Sequence, residues 1–425
     1  MTITRRRFNV LTGASALTLG LCASAPALLG AAKPRAVIIG GGAGGATAAR
    51  YIAKDSKGAI DVTLIEPTRR YYTCFFSNLY LGGFRTFDSI GHGYDKLATE
   101  YDINVVHDWA VSIDRDKKQV VLASGARVPY DRLIVAPGID IKYDSVPGYS
   151  VDAAGVMPHA WKSGTQAQLL KAKIDGMKEG GTFVMVPPPN PFRCPPGPYE
   201  RISMIAHAFK QKNPKAKIII LDPKKKFSKQ GLFMDGWQQH YPGMIEWIDP
   251  GSHGGIKNVN PDTMEIVTDL DTFKADAACV IPAQKAGTIA ALAGLTDKNG
   301  WCPIKPETMQ SSVDENIHVI GDASIAAAMP KSGFSANSQA KSAAMAIRAA
   351  LIDAKAFPAR YSNTCWSLIG KNDGIKVGAK YKAGAEKIEP TSKFISKVGE
   401  TEDLRAQTYE ESVGWYSGIT ADIFG

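Results

Sequence analysis

The 425-residue chain has six cysteines, and no two of them form a CxxC pair or a CxxCH run. That spacing excludes a zinc ribbon and a covalently attached haem c on this chain. Beyond residue 32, no stretch approaches the roughly 18 consecutive apolar residues that span a bilayer. A large charge of one sign is also missing. The formal net charge is +9 and is spread along the chain, which gives no basic patch for nucleic acid. Low-complexity segments are absent, and the only internal likeness is between two domain-sized halves.

The N-terminus is organised differently from the rest. Thr4-Arg5-Arg6-Arg7-Phe8 is a twin-arginine pattern, followed by an apolar, small-residue run from Val10 to Leu29 and then Gly30-Ala31-Ala32. A basic region, an apolar region and a small-residue site are the parts of an export signal. Residues 1–32 are therefore expected to be a twin-arginine signal peptide, which directs a folded protein to the periplasm. Removing Arg5, Arg6 and Arg7 with it leaves a charge of +6. Five cysteines then remain: Cys74, Cys194, Cys279, Cys302 and Cys365. An odd number in an oxidising compartment leaves at least one free or bonded to something other than cysteine.

Ala36 to Ile39 reads as a buried parallel strand, and Ala46 to Ile52 as a helix. Between them, Gly40, Gly42 and Gly45 fit the GxGxxG dinucleotide fingerprint. These glycines provide a tight turn, close backbone approach to a pyrophosphate, and close helix–strand packing. The helix N-terminus turns its free N–H groups towards the phosphates. A second strand, Val62 to Ile65, ends in Glu66, placed to accept from a ribose 2′-hydroxyl. Further on, Asn316 to Asp322 reads as a strand closing on Gly-Asp, and Leu133 to Gly138 as another strand. These three segments, in this order, resemble the two-domain flavoprotein disulfide reductases. The resemblance implies FAD, with Asp322 on its ribitol chain.

The middle of the chain departs from that pattern. Gly181 to Val186 reads as the first strand of a second doubly wound domain, but Pro187-Pro188-Pro189-Asn190-Pro191 stands where a second glycine fingerprint belongs. Proline has no N–H to offer a phosphate, and its ring blocks close approach. The second domain is thus expected to keep its fold and bind no NAD(P). The fold class expected is α/β, with two Rossmann-like domains on a glutathione-reductase-like plan and a C-terminal lobe. The FAD domain is assigned to 33–150 and 276–345, the second domain to 151–275, and the flavin-facing or interface lobe to 346–425.

Four further segments carry a narrower resemblance: Tyr71-Tyr72-Thr73-Cys74, Phe192 to Glu200, Pro330 to Gln339, and Asn363-Thr364-Cys365. Together they resemble the flavoprotein subunit of flavocytochrome c sulfide dehydrogenase. The related flavoprotein of the thiosulfate-oxidising system shares them. The resemblance implies a thioether from Cys74 to FAD and a redox-active disulfide between Cys194 and Cys365. It also implies Glu200 as acid/base, although a plain surface glutamate is the alternative. Lys331, with the helix beginning near Ala336, is expected to put positive charge near the flavin. Cys279 and Cys302 read as packing residues. The implied activity is oxidation of sulfide to sulfane sulfur or polysulfide, with electrons passed to a separate c-type cytochrome. A sulfide:quinone reductase and a non-enzymatic FAD-stabilised scaffold remain open alternatives. No metal, haem, nucleic acid or membrane span is expected on this chain after signal removal.

Overall fold

The computed structural model describes residues 32–425. The signal peptide expected at 1–32 therefore lies outside the described residues but for Ala32. From Lys33 to Gly425 the chain forms one compact unit.

Two parallel sheets form its centre. The first uses β1 (Arg35–Ile39), β2 (Asp61–Ile65), β3 (Asn104–Val106), β4 (Arg132–Val135) and a late strand at Ile317–Val319. The order is Ile317–Val319, β4, β1, β2, β3, and every pair is parallel. The interior strand residues are nearly all apolar and buried, as a sheet covered on both faces requires. Helix α1 (Ala43–Ser56) packs across this sheet against a later helix at Gly333–Ile352. Ala46, Ala49 and Ala53 of the first helix and Ala336, Ala340 and Ala343 of the second belong to one buried cluster. Side chains this small let the two helices approach closely.

The second sheet contains β5 (Thr182–Val186), β6 (Lys217–Leu221), β7 (Ile245–Ile248) and β8 (Ala277–Val280), in the order β7-β6-β5-β8. All three pairings are parallel. The position of β8 corrects the expected boundary at 276. The chain completes the second sheet through Val280 before it returns to the first sheet with β9 (Ile317–Val319). Ala277-Ala278-Cys279-Val280 is apolar throughout, so its sequence carried no sign of which sheet it joins. Helix α2 (Gly197–Lys212) follows β5, and α3 (Gln230–His240) follows β6.

After α4 (Gly333–Ile352) comes an antiparallel sheet of β10 (Arg360–Gly370), β11 (Asp373–Ala383) and β12 (Ile388–Ile395). Helix α5 (Glu402–Phe424) closes the chain, capped by Thr401, whose hydroxyl accepts from the Leu404 N–H. This lobe lays β10 against both α2 and α4, and so places Cys365 beside the second domain. Among the described residues, no helix is long and apolar enough to cross a membrane. No cluster of three or more His, Cys, Asp or Glu is placed to hold a metal ion there either.

Candidate active site

Only residues 40–42 separate β1 from α1, so the helix N-terminus sits at the end of the strand. Gly40 has a φ of +97°, and a Cβ there would lie 2.3 Å from the Ala136 carbonyl oxygen. A Cβ on Gly45 would lie 1.8 Å from the Gly40 carbonyl oxygen. Neither position admits a side chain. Glu66 Oε2 accepts from the Gly41 N–H at 2.7 Å, and Oε1 accepts from Thr68. A cleft of about 1000 Å³ runs from this loop past Glu66 and Pro137 to Asp322, Arg193 and Cys74.

The donors and acceptors lining the cleft fit FAD. The Asp322 carboxyl is buried; its Oδ1 has no partner, and its Oδ2 lies 3.7 Å from the Arg193 guanidinium. Burial raises its pKa, with Arg193 and Lys331 opposing. A buried acceptor left unpaired costs about 1–3 kcal/mol, which a sugar hydroxyl in the cleft would remove. Helix α4 begins at Gly333 with Ser332 as its cap, and Ser332, Gly333 and Ala336 border the same cleft. Its N-terminal dipole end is thus available to an anionic ring edge.

Lys331 is not placed as expected. Its ammonium donates to the Asp322 and Ser324 carbonyls at 2.8 and 2.9 Å and lies 3.8 Å from the centre of the Trp301 ring. Burial lowers its pKa to about 8. It borders neither cavity and instead ties down the turn that carries Asp322. The cation that borders both cavities is Arg193, hydrogen-bonded to the Trp161 carbonyl.

A second, smaller cavity of about 70 Å³ adjoins the cleft, with Cys74, Arg193, Ser332 and Gly333 bordering both. Its size suits a species as small as water or hydrosulfide, since a liquid water occupies about 30 Å³. Cys74, Cys194, Cys365 and Glu200 all line it. Cys194 sits in the left-handed region at φ +57°, held by its N–H to the Lys331 carbonyl at 2.7 Å. The next helix starts with Gly197, where a Cβ would come within 2.9 Å of the Cys194 sulfur. Cys365 lies on β10 and accepts from Asn363 Nδ2 at 3.3 Å.

Cys194 and Cys365 are free thiols in this structure. Burial raises both thiol pKa values, and for Cys194 the nearness of Cys365 and Glu200 adds to the rise. The Cys74 thiol is raised by burial and lowered by Arg193. Glu200 is no surface residue. Its Oε2 accepts from Asn78 at 2.8 Å and its Oε1 from the Leu368 N–H at 3.0 Å, while burial raises its pKa. Cys279 and Cys302 are fully buried and line neither cavity.

The corresponding region of the second domain is built otherwise. Residues 187–196 separate β5 from α2, so no helix N-terminus stands at the end of the strand. Asp222, just after β6, is fully buried among the chain's own donors: Tyr199 Oη, Trp247 Nε1 and Lys224 Nζ. Lys224 also donates to the Pro188 carbonyl at 2.8 Å. Sequence reasoning passed over this cluster, and it also missed Arg193, Asn363 and the buried Lys229. Of these, Arg193 and Asn363 flank the quoted cysteines. Lys229 had no local signal.

Residues 167–282 match the family model described as the central part of the sulfide dehydrogenase [flavocytochrome c] flavoprotein chain. Residues 357–424 match the flavin-binding model of flavocytochrome c sulphide dehydrogenase, and 34–175 match a pyridine nucleotide-disulphide oxidoreductase model. Over 44 residues the chain is 50% identical to the sulfide dehydrogenase [flavocytochrome c] flavoprotein chain of Chlorobaculum thiosulfatiphilum, covering 10% of this chain and 90% of that sequence. The chain belongs to the flavocytochrome c sulfide dehydrogenase flavoprotein family. More distantly, it is 24% identical over 299 residues to the mitochondrial sulfide:quinone oxidoreductase of Mus musculus, spanning 67% of this chain and 64% of that one. The sulfide:quinone oxidoreductase structure from Aquifex aeolicus matches with a TM-score of 0.68 at 17% identity, over 92% of each chain. A NAD-dependent persulfide reductase from A. fulgidus matches at 0.63 and 16% identity, over 90% of this chain and 77% of that one. These likenesses establish the fold that the flavoprotein family shares with FAD-dependent disulfide oxidoreductases.

Proposed function

We propose that this flavoprotein oxidises sulfide in the periplasm through a Cys194–Cys365 disulfide and an FAD tethered at Cys74, and passes the electrons to a c-type cytochrome. The observation that carries the reading is the convergence of Cys74, Cys194, Cys365 and Glu200 on one small cavity at the end of the dinucleotide cleft. FAD, when bound, supplies a two-electron acceptor. The Gly40–Gly42 loop, Glu66, Asp322 and the α4 N-terminus hold it, and Cys74 is the covalent tether at the junction of the two cavities. The pair Cys194 and Cys365 receives hydrosulfide by thiol–disulfide exchange, which gives a persulfide on one sulfur and a thiolate on the other. Glu200, whose buried carboxyl keeps a raised pKa, holds and releases the proton exchanged at that sulfur. The aromatic walls, Phe334, Trp366 and Trp415 among them, keep water away from the reacting sulfurs.

The second domain supports a reading in which no pyridine nucleotide takes part. Its proline-rich connection and an Asp222 already bonded to Tyr199 and Trp247 support a reading without NAD(P)H. A second reading, quinone as acceptor, draws support from the sulfide:quinone oxidoreductase relatives. Anaerobic sulfide titration followed by addition of either acceptor separates the two. Sulfide should bleach the flavin, cytochrome c should restore its colour faster than quinone does, and acid-precipitated protein should stay yellow. A flavin left oxidised by excess sulfide would remove the proposed activity.

A further inference from the structure

Lys229 lies far from Cys194 and Cys365 in sequence and borders neither cavity, yet it is built into the same site. It precedes α3 with a φ of +61°, a conformation that a non-glycine residue adopts at some cost. Its side chain is 6% exposed. The ammonium donates to the Cys365 carbonyl at 3.0 Å and to Ser367 Oγ at 2.8 Å, both on β10. Among the described residues, it forms no ion pair with any carboxylate, and it lies 5.8 Å from the centre of the Phe233 ring. A buried ammonium is expensive unless a charge compensates it. Here the strand segment holding Cys365 has been given a cation whose counter-ion is missing.

The groups around it say what that counter-ion is. Burial lowers the Lys229 pKa to about 8; Cys365 on β10, Glu200 at the start of α2 and Cys194 in the loop before α2 act against that fall, and Arg405 on α5 adds to it. That guanidinium is already paired with Asp373, whose other oxygen bonds His240. Glu200 is occupied by the Asn78 amide and the Leu368 N–H. When the disulfide opens, the new negative charge beside the ammonium appears on one of the two sulfurs.

We propose that Lys229 is a positioning residue for the sulfur pair: its buried ammonium is the counter-ion of the thiolate released on Cys365 when hydrosulfide opens the Cys194–Cys365 bond. The inference rests on the sulfide reading above and adds a direction to it. Hydrosulfide forms a sulfur–sulfur bond to Cys194 as the Cys194–Cys365 bond breaks, and the bonding pair leaves on Cys365. One anion enters and one anion results, with the hydrosulfide proton remaining on the persulfide. Lowering the pKa of the departing thiol speeds that departure. The ammonium is held on the backbone carbonyl of Cys365 itself, which fixes it beside that residue.

The test uses the reduced flavin-loaded protein. Lys229→Gln keeps an amide donor for the Cys365 carbonyl and Ser367 but removes the charge. Iodoacetamide labelling of Cys365, read by peptide mapping across pH, should slow by about tenfold or more near neutral pH, corresponding to a thiol pKa raised by about one unit or more. Lys229→Arg should restore it, and flavin content should not change in either variant. Equal Cys365 labelling in wild type and a folded Lys229→Gln protein would overturn the proposal. If that variant does not retain flavin, the reciprocal measurement decides. In ¹³C-lysine-labelled protein, the Lys229 titration midpoint should be lower in Cys365→Ser than in wild type, because coupling acts equally in both directions. Identical midpoints would overturn the proposal equally. Neither readout involves sulfide, so failure of sulfide to reduce the flavin would count against the function and leave the ionisation result to decide the role of Lys229.

Discussion

His318 illustrates what a buried titratable side chain does to this protein. It lies on β9, its Nδ1 bonded to the Thr308 carbonyl at 2.8 Å and its Nε2 buried without a partner. The acceptor at Nδ1 fixes the neutral Nδ1–H tautomer. Burial holds its pKa down at about 4, against 6.5 for a free imidazole. His159 is lowered to about 4 as well, by burial and by Arg201. With the folded pKa below the unfolded one, the unfolded chain binds protons first. Stability is therefore fully present above pH 6.5 and is lost as pH falls towards 4. At about 1.4 kcal/mol per pH unit, each imidazole contributes at most roughly 3 kcal/mol across that window. His318→Asn keeps a donor for Thr308 and cannot titrate, so its melting temperature should fall less steeply with acid than that of wild type. Matching slopes would show that His318 does not drive the loss. Side-chain direction was the hardest feature to anticipate at this scale. Lys331 stands near Asp322 in sequence, but Trp301, a residue thirty positions earlier, draws its ammonium away from the cleft.

At the scale of elements, legibility followed the distance over which a signal acts. The β1–α1–β2 unit was readable because its glycines, helix start and Glu66 lie within one local stretch and each has its own steric or hydrogen-bonding reason. The C-terminal sheet was not. On β10 the buried positions Tyr361, Asn363, Cys365 and Ser367 alternate as a strand should, but most are polar or small, so no hydrophobic alternation marks them. They are buried because distant partners satisfy them: Ser332 for Asn363, and Lys229 for Ser367. Lys229 could not have been found without that pairing. The proline connection after β5 was legible for the same reason the glycines were, and it carries a prediction. Anaerobic NADH should reduce the flavin slowly or not at all. Fast stoichiometric reduction would mean that residues 187–196 rearrange to admit a nucleotide.

For the whole molecule, the function depends on three regions meeting at one point. The first Rossmann-like domain brings Cys74 and the cleft, the second brings Cys194 and Glu200, and the C-terminal lobe brings Cys365. The cofactor cleft and the sulfur cavity share a wall, so the proposed chemistry at the cysteine pair would lie beside a flavin bound in the cleft. This arrangement is the central claim, and single-turnover reduction tests it most directly. Wild type, Cys194→Ser and Cys365→Ser, each with its flavin retained, are mixed anaerobically with excess sulfide while flavin absorbance is followed. Wild type should bleach rapidly, and each variant should bleach at least about a hundredfold more slowly, a loss of roughly 3 kcal/mol or more in transition-state stabilisation. Bleaching of either serine variant at the wild-type rate would contradict the account.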